Sequence, residues 1–446
     1  MPRVLFVSYA YPPVGGVGVQ RVLKWTKFLP EFGWDCSVLT VANPSVPTLD
    51  ESLAEQIPAS TTVVRARTLE PGYAAKQTAA ATDASPLAKL KGAIKRPLVA
   101  TAKKLLQPDA QILWHRDAKR VGQALLEETP HDVIVATAPP FSTLLLGRWL
   151  ANASGLPLAV DYRDEWDLSN RHWENKRPGR LAHAVQARMQ NAALKAATHV
   201  LSTSPGTARE LARRSRQAGV ERPSTFIYNG YDPDDFPPLP DAPREDFGHG
   251  TERFRLTFAG TLWTLNSIAP FAAGIEQLDR AAADRLELVL VGRRLDDEEA
   301  HLDRIAAAGV AVSRVGFVPH ARAVELMRRS DALLQQTIAS EGTERVISAK
   351  TFEYLASGRP ILFVGSDGDQ ADLVRRMPHS YVANANDPQS IAEAVAALVA
   401  AGRVDSLDPP PELHRREGAR QLSELLSSLV ADATPSAAGL AAGSSR

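Results

Sequence analysis

The clearest chemical pattern in the sequence lies at residues 348–365. It predicts a short helix that begins after Ser348 and ends at Gly358, because serine is a favoured N-cap and glycine a favoured C-terminal cap. Pro360 cannot continue a helix, and the apolar run after it predicts a buried strand. The first turn of a helix presents free backbone N–H groups and a partial positive charge. A phosphate group could therefore bind at the start of this helix.

Two charged side chains of the predicted helix suit the same ligand. Lys350 adds a full positive charge to the first turn, and Glu353, one turn further on, can accept hydrogen bonds from sugar hydroxyls. A nucleoside diphosphate requires both kinds of contact. From these residues alone, an ordinary amphipathic helix with solvated polar side chains is the slightly favoured interpretation.

A glycine-rich loop follows the first predicted strand. Residues 4–7 predict a buried parallel strand, and Gly15 and Gly16 lie between it and an apolar-periodic helix. This order is typical of the first βα unit of a doubly wound sheet. The third glycine of the dinucleotide fingerprint is missing, so the loop alone is a weak signal. Arg21, just inside the helix, is either an anion ligand or a solvated arginine.

Polar residues also follow the strand predicted at 157–161. In a doubly wound sheet, side chains at the carboxyl ends of strands line the ligand crevice. Asp161, Arg163 and Asp164 are therefore candidates for hydrogen bonding to an acceptor or donor sugar. A structural ion pair with Arg163 is an equal alternative.

Strand and helix patterns alternate through two successive stretches, which predicts two doubly wound α/β domains. We divide the chain into a first domain at 1–235 with a basic helical insertion at 71–110, a Pro-rich linker at 236–250, a second domain at 251–408, a C-terminal helix at 409–432 that returns to the first domain, and a disordered tail at 433–446.

Within the insertion, residues 87–106 mix lysine and arginine with leucine and isoleucine. This pattern favours a solvated amphipathic helix. Peripheral contact with an anionic membrane is the alternative.

Composition excludes several classes of protein. Lys and Arg together number 51, as do Asp and Glu, so the overall charge favours no polyanion, and we expect no nucleic-acid partner. Cys36 is the only cysteine, which rules out an intrachain disulfide. No residues have metal-ligand spacing, so we expect neither a metal nor a cofactor. We find no export signal or membrane-spanning run, and we therefore expect a cytoplasmic protein, with association at the cytosolic membrane face as an option.

These motifs together resemble the family 4 glycosyltransferases, which have the GT-B fold of two Rossmann-like domains facing across a cleft. The resemblance runs from Arg3 to about Ala400 and includes the helix at 348–365, the glycine loop, the run at 161–166 and the turn at Asn229. It implies transfer of a sugar from a nucleoside-diphosphate sugar to an acceptor hydroxyl or amine, with retention of configuration. The donor is then a co-substrate, and the acceptor is a small molecule or a lipid-linked glycan.

The resemblance also implies roles for individual residues. It gives donor-binding roles to Gly15, Gly16, Arg293, Phe317, Glu344, Ser348, Ala349, Lys350 and Glu353. The candidate catalytic residues are Lys350, Arg345 and Asp164. The candidate acceptor-binding residues are Thr143, Asp161, Arg163 and Asp164.

The sequence departs from the family pattern at the positions that usually hold the diphosphate. Many members have an arginine directly after the glycine equivalent to Gly260 and a lysine several residues later. Here these positions hold Thr261 and the pair Asn266-Ser267. Either the missing charge comes from one of four residues, Arg293, Arg294, Arg345 or Lys350, or the donor is an unusual one.

Two further positions also differ from the family. The histidine that often touches the donor sugar is replaced by Thr143, and the first of two glutamates separated by seven residues is replaced by Arg345. These departures leave two alternatives open. One is a phosphorylase or pseudo-glycosyl coupling enzyme on the same fold, and the other is a degenerate, non-catalytic nucleotide-binding scaffold.

Overall fold

The computed structural model describes residues 1–74, 76, 106–172 and 179–433. The chain forms two compact units. The first contains Met1–Tyr228 and the C-terminal segment from Arg415, and the second contains Asn229–His414. Most of the predicted insertion at 71–110, including nearly all of 87–106, lies outside the described residues, as does the tail after residue 433.

Seven parallel strands form the sheet of the first unit, in the order β3-β2-β1-β4-β5-β6-β7. The strands are β1 Arg3–Val7, β2 Asp35–Val41, β3 Thr62–Ala66, β4 Val133–Ala138, β5 Leu158–Tyr162, β6 His199–Ser202 and β7 Ser224–Phe226. Every residue of the central strand β4 is buried, which explains its continuous apolar sequence. The strand order reverses between β1 and β4, and such a switch point is where ligands bind in this class of sheet.

Six parallel strands form the sheet of the second unit, in the order β10-β9-β8-β11-β12-β13. They are β8 Phe254–Ala259, β9 Leu286–Val291, β10 Ala311–Gly316, β11 Ala332–Gln336, β12 Ile361–Gly365 and β13 Tyr381–Asn384. The switch point of this sheet lies between β8 and β11. The loops after these two strands are therefore the expected ligand loops.

Helices connect the strands of both sheets. Among the described residues they are, in chain order, α1 Val17–Phe28, α2 His115–Glu128, α3 Ser142–Ser154, α4 Trp166–His172, α5 Arg180–Ala196, α6 Pro205–Gln217, α7 Ala269–Ile275, α8 Arg280–Ala283, α9 Glu299–Ala307, α10 His320–Arg328, α11 Ala349–Ala356, α12 Asp369–Arg375, α13 Pro388–Ala401 and α14 Arg415–Ala433. In the first unit, α1 and α14 pack together over one apolar core, while α3, α5 and α6 contribute to a second core on the other face of the sheet.

The division between the units differs from the one expected from sequence. The segment at 236–250, predicted as a linker, is attached to the second unit: Arg244 lies 3.0 Å from the Asp331 carboxylate, and Arg329 donates to the carbonyl oxygens of Pro240 at 2.6 Å and Ala242 at 2.7 Å. The boundary therefore falls after Tyr228 rather than near residue 235. Arginines of an adjacent helix satisfy the backbone carbonyls that this Pro-rich stretch cannot pair by itself.

None of the helices in the described part of the chain is long and apolar enough to cross a membrane.

Candidate active site

The helix α11 starts at the carboxyl edge of the second sheet, directly after strand β11 and its loop. Ser348 is the N-cap residue, and its backbone N–H donates to Oε1 of Gln370 at 2.7 Å. Ala349 is the first helical residue. The helix is anchored by the buried side chains of Phe352 and Tyr354, and the Tyr354 hydroxyl accepts the backbone N–H of Ala259 at 2.8 Å. These contacts hold the first turn beside the end of strand β8.

Lys350 packs closely against the loop at Gly260, where a residue with a side chain would not fit. Its Nζ is 4.8 Å from the centroid of the Phe258 ring. Gly260 has φ +143°, and a Cβ there would lie 1.8 Å from Lys350 Nζ. Gly292 has φ +129°, and a Cβ there would lie 2.0 Å from the carbonyl oxygen of Gly260. The two glycines therefore let the lysine and two loops approach one another closely.

The charge of Lys350 is poorly compensated. Burial lowers the pKa of its ammonium group to about 8, although the nearby Glu353 acts in the opposite direction. Across the described ranges, no carboxylate forms an ion pair with this lysine. Arg294 and Arg345, by contrast, are paired with Glu299 and Glu344. Of the candidates for the missing basic charge, Lys350 is therefore better placed than these two to receive an anion.

Glu353 contacts the start of helix α10. Its Oε1 lies 3.3 Å from Nε2 of His320, and this hydrogen bond raises the pKa of the imidazole. Sequence reasoning did not pair these residues, because they are 33 positions apart. The carboxylate remains partly exposed, so one of its oxygens can also accept a hydroxyl group.

Arg293 and Phe317 are both exposed and lie in contact with each other beside this site. The guanidinium carbon of Arg293 is 5.0 Å from the Phe317 ring centroid, and the Phe317 side chain is 71% exposed. A backbone hydrogen bond from Gly292 N to Gly316 O at 2.7 Å joins their two loops, and one from Leu262 N to Arg293 O at 2.9 Å joins the Arg293 loop to the loop after β8. An exposed aromatic ring of this kind is suited to stacking against a nucleobase.

The loop before α11 is held by its own side chains. Glu344 accepts the backbone N–H of Gly342 at 2.8 Å and a guanidinium N–H of Arg345 at 2.7 Å. Glu344 and Arg345 therefore have structural contacts with each other, and both remain only candidates for contact with a donor.

Residues 261–267, where the basic pair typical of the family is missing, form an ordered loop after β8. Leu262 is 1% exposed and forms a bridge with Arg294, and Gln336 Nε2 donates to the carbonyl oxygen of Asn266 at 2.9 Å. Thr261 itself is exposed. These residues order the loop without adding charge.

In the first unit, the structure corrects the role expected for Asp161. This carboxylate is fully buried and pairs with Arg21, whose Nη2 lies 3.0 Å from Oδ1. Thr137 donates a further hydrogen bond to it at 2.7 Å. Asp161 therefore cannot contact an acceptor in this structure. The ion-pair alternative holds, but the partner is Arg21 and not Arg163.

Two other candidates for acceptor binding, Arg163 and Thr143, also have structural roles inside the first unit. Arg163 donates to the backbone carbonyls of Gly18 and Pro139, and burial lowers its pKa. Thr143 is fully buried in the first turn of α3, so its hydroxyl does not line a surface. Asp164 is exposed and is the only one of the four acceptor candidates with this property.

The glycine loop of the first unit is also ordered. Gly15 donates its N–H to the carbonyl oxygen of Thr48 at 3.0 Å, and Gly16, with φ +93°, precedes α1 as its N-cap. Arg163 contacts the same turn through Gly18. The structure thus places Gly15, Gly16 and Arg163 together at the carboxyl edge of the first sheet.

No group of three or more His, Cys, Asp or Glu side chains arranged to hold a metal ion occurs among the residues that the structure describes. The metal-free expectation remains a prediction.

The fold and the residues at both sheet edges define a GT-B glycosyltransferase. A "Glycosyl transferase 4-like domain" model matches residues 15–230, and a "Glycosyl transferases group 1" model matches residues 253–401. The chain belongs to the family 4-like glycosyltransferases, as the sequence motifs predicted. No curated protein matches it significantly by sequence.

Solved structures show the same fold. The Anabaena protein HepE in complex with UDP matches with a TM-score of 0.54 and 16% identity over 96% of this chain and 100% of that one. Sucrose-phosphate synthase from Thermosynechococcus elongatus matches with a TM-score of 0.58 and 13% identity over 97% of both chains. AviGT4, a glycosyltransferase involved in avilamycin A biosynthesis, matches with a TM-score of 0.51 and 16% identity over 97% of this chain and 99% of that one.

Proposed function

We propose that this glycosyltransferase takes its sugar from a nucleoside-diphosphate sugar and transfers it, with retention of configuration, to an acceptor hydroxyl or amine. The observation that carries the proposal is the Lys350 ammonium group. It is half-buried, has no ion-pair partner among the described residues, and lies in the first turn of a helix whose N–H groups face the carboxyl edge of the sheet. This arrangement stabilises negative charge.

The residues around the start of α11 can bind each part of such a donor. The diphosphate binds the first turn at Ser348, Ala349 and Lys350. The ribose hydroxyls bind Glu353, which lies one turn along the helix, and the base stacks on Phe317 beside Arg293. HepE, which has the same fold, is known in complex with UDP-glucose, and this supports UDP as the first nucleotide to test.

The chemistry follows from the charge on the leaving group. When the bond between the sugar and the diphosphate breaks, negative charge builds up on the departing phosphate, and a fixed cation and helix N–H groups stabilise it without reorganisation. The acceptor oxygen or nitrogen forms the new bond to the anomeric carbon on the same face, and an oxygen of the leaving phosphate takes up the proton that the acceptor loses. No protein carboxylate has to act as the base.

The proposal is tested by thermal-shift and calorimetric titration with a panel of nucleoside mono- and diphosphates. A diphosphate should raise the melting temperature, because a ligand that binds only the folded protein stabilises it. Glu353→Ala removes an acceptor of ribose hydroxyls and should weaken diphosphate binding about tenfold, the effect of roughly 1.4 kcal/mol. Glu393→Ala, on the exposed side of α13, is the matched control and should change nothing.

The proposal fails if no nucleotide binds, or if Glu353→Ala and Glu393→Ala behave alike. Turnover assays separate the two alternatives. Activity that depends on orthophosphate would identify a phosphorylase, and tight nucleotide binding with no turnover on any acceptor would identify a scaffold.

A further inference from the structure

His320 contacts Glu353 across two helices of the second unit. His320 is the first residue of helix α10, and its Nε2 lies 3.3 Å from Oε1 of Glu353 on helix α11. Each helix begins at the carboxyl edge of the sheet, one after strand β10 and the other after strand β11. The contact therefore lies at the edge where this class of sheet binds its ligands.

The contact is an ion pair when the imidazole is protonated. The hydrogen bond to Glu353 raises the pKa of His320, burial lowers it, and the negative charges of Glu353 and Asp235 raise it further. The His320 and Glu353 side chains are 60% and 37% exposed. Exposed ion pairs contribute little to stability, so the second unit does not need this pair to fold. The main effect of the pair is local, because it restrains a carboxylate that would otherwise rotate in solvent.

Glu353 has a second cation within reach on its own helix. Lys350 lies three residues earlier, and side chains three residues apart on a helix are neighbours. The structure pairs Glu353 with His320 instead, and the charge of Glu353 acts on Lys350 without an ion pair between them. The imidazole therefore holds the carboxylate and leaves the Lys350 ammonium group available for an anion.

The loop that ends at His320 also presents the exposed ring of Phe317. These two residues are three positions apart, and the Phe317 side chain is 71% exposed. In a nucleotide the ribose is bonded directly to the base, so the groups that bind the two parts have to lie close together. A carboxylate held by His320 satisfies this requirement, whereas a Glu353 side chain turned toward Lys350 would lie nearer the diphosphate.

We propose that His320 is a positioning residue for donor binding: it holds Oε1 of Glu353, so that Oε2 points to the ribose hydroxyls. This role rests on the proposed function of the site and adds to it a residue that the sequence motifs did not mark. A carboxylate has two acceptor oxygens, and a cation on one of them restricts the rotation of the whole group. Because the carboxylate is ordered before the nucleotide arrives, binding loses less conformational entropy.

The test compares UDP with 2′,3′-dideoxy-UDP, which lacks both ribose hydroxyls, by isothermal titration calorimetry at constant pH. Wild-type protein should bind UDP about tenfold more tightly, since the analogue cannot donate hydrogen bonds to the carboxylate. His320→Phe keeps a ring of similar size without the donor and should lower this preference to about threefold. His320→Gln retains an N–H donor and should restore most of the preference, and Glu353→Ala should abolish it.

The matched control is His249→Phe. His249 is an exposed histidine of the same unit that precedes strand β8, and it therefore lies at the opposite edge of the sheet. This variant should keep the wild-type preference. His320→Ala carries the same prediction as His320→Phe without a ring, and circular dichroism melting of every variant shows whether the fold is intact.

A wild-type preference in both His320→Phe and His320→Ala, with the preference abolished in Glu353→Ala, would overturn the positioning role and leave the donor site in place. An equal loss of affinity for both nucleotides would also reject it, because it indicates a purely structural role. Tighter binding of UDP in the His320 variants would reject it as well, because it indicates that His320 competes with the ribose. If wild-type protein binds no UDP, or if Glu353→Ala keeps the preference, the donor site itself is wrong and the positioning role falls with it.

Discussion

Replacing Lys350 with methionine will weaken the binding of UDP by about 10- to 100-fold. A hydrogen bond to a charged group contributes about 1.5–3 kcal/mol, and each 1.4 kcal/mol is a factor of ten in affinity. Methionine keeps most of the length and volume of the side chain, so apolar packing near Gly260 is largely retained, while the ammonium group and its contact with the Phe258 ring are lost. Isothermal titration calorimetry at constant pH and salt measures the change.

The matched control is Arg294→Met. Arg294 was an equal candidate for the missing basic charge, but it is paired with Glu299 in the structure, so its removal should alter UDP affinity little. The pH profile gives a second readout. Because burial lowers the pKa of Lys350 to about 8, UDP affinity in the wild type should be high below that pH and fall as the pH rises through it. Lys350→Met should show no such fall, and a parallel fall in both proteins would contradict the assignment.

Replacing Arg21 with methionine will destabilise the first unit by about 3–5 kcal/mol, because it leaves the buried carboxylate of Asp161 without its ion-pair partner. Arg21 also donates to the carbonyl oxygen of Ile227 at 2.8 Å and lies over the Trp25 ring at 4.2 Å. Urea unfolding followed by tryptophan fluorescence measures the change. Of the tryptophans that the structure describes, all but Trp263 lie in the first unit, so the signal reports mainly on this unit.

The control for this prediction is Arg3→Met. Arg3 and Asp35 form an ion pair of similar length, 2.9 Å, but both side chains are about a third exposed. Such surface pairs contribute about 0–1 kcal/mol. If the two variants lose the same stability, the Arg21–Asp161 pair does not stabilise the first unit as a buried ion pair should.

Much of the fold could be predicted from sequence, because buried parallel strands have continuous apolar runs. The strand expected at residues 4–7 lies within Arg3–Val7, and the two-sheet GT-B architecture is confirmed. The strand Tyr381–Asn384 was missed. It is a short edge strand that pairs only with β12 and is half-buried. Its apolar run is only three residues long, and its conformation depends on its neighbour.

The bounds of helix α11 at the candidate site could be predicted, because the residues at its two ends have known capping preferences. Ser348 and Gly358 bound the helix in the structure; Gly358 has the positive φ expected of a C-terminal cap, whereas the Ser348 side chain forms no capping hydrogen bond. The partner of Asp161 was not predictable, because Arg21 lies 140 residues away and nothing in the local sequence distinguishes it from a solvated arginine. The need for Gly260 and Gly292 could have been recognised, since a glycine directly after each of two adjacent strands is a signal of close backbone approach.

The central claim is that a diphosphate binds where the chain enters helix α11. A crystal structure of the protein with UDP tests it most directly. The claim predicts phosphate oxygens within hydrogen-bond distance of the backbone N–H groups at the helix start and of Lys350 Nζ. A nucleotide bound elsewhere, with side chains filling the space at the first turn of the helix, would contradict it.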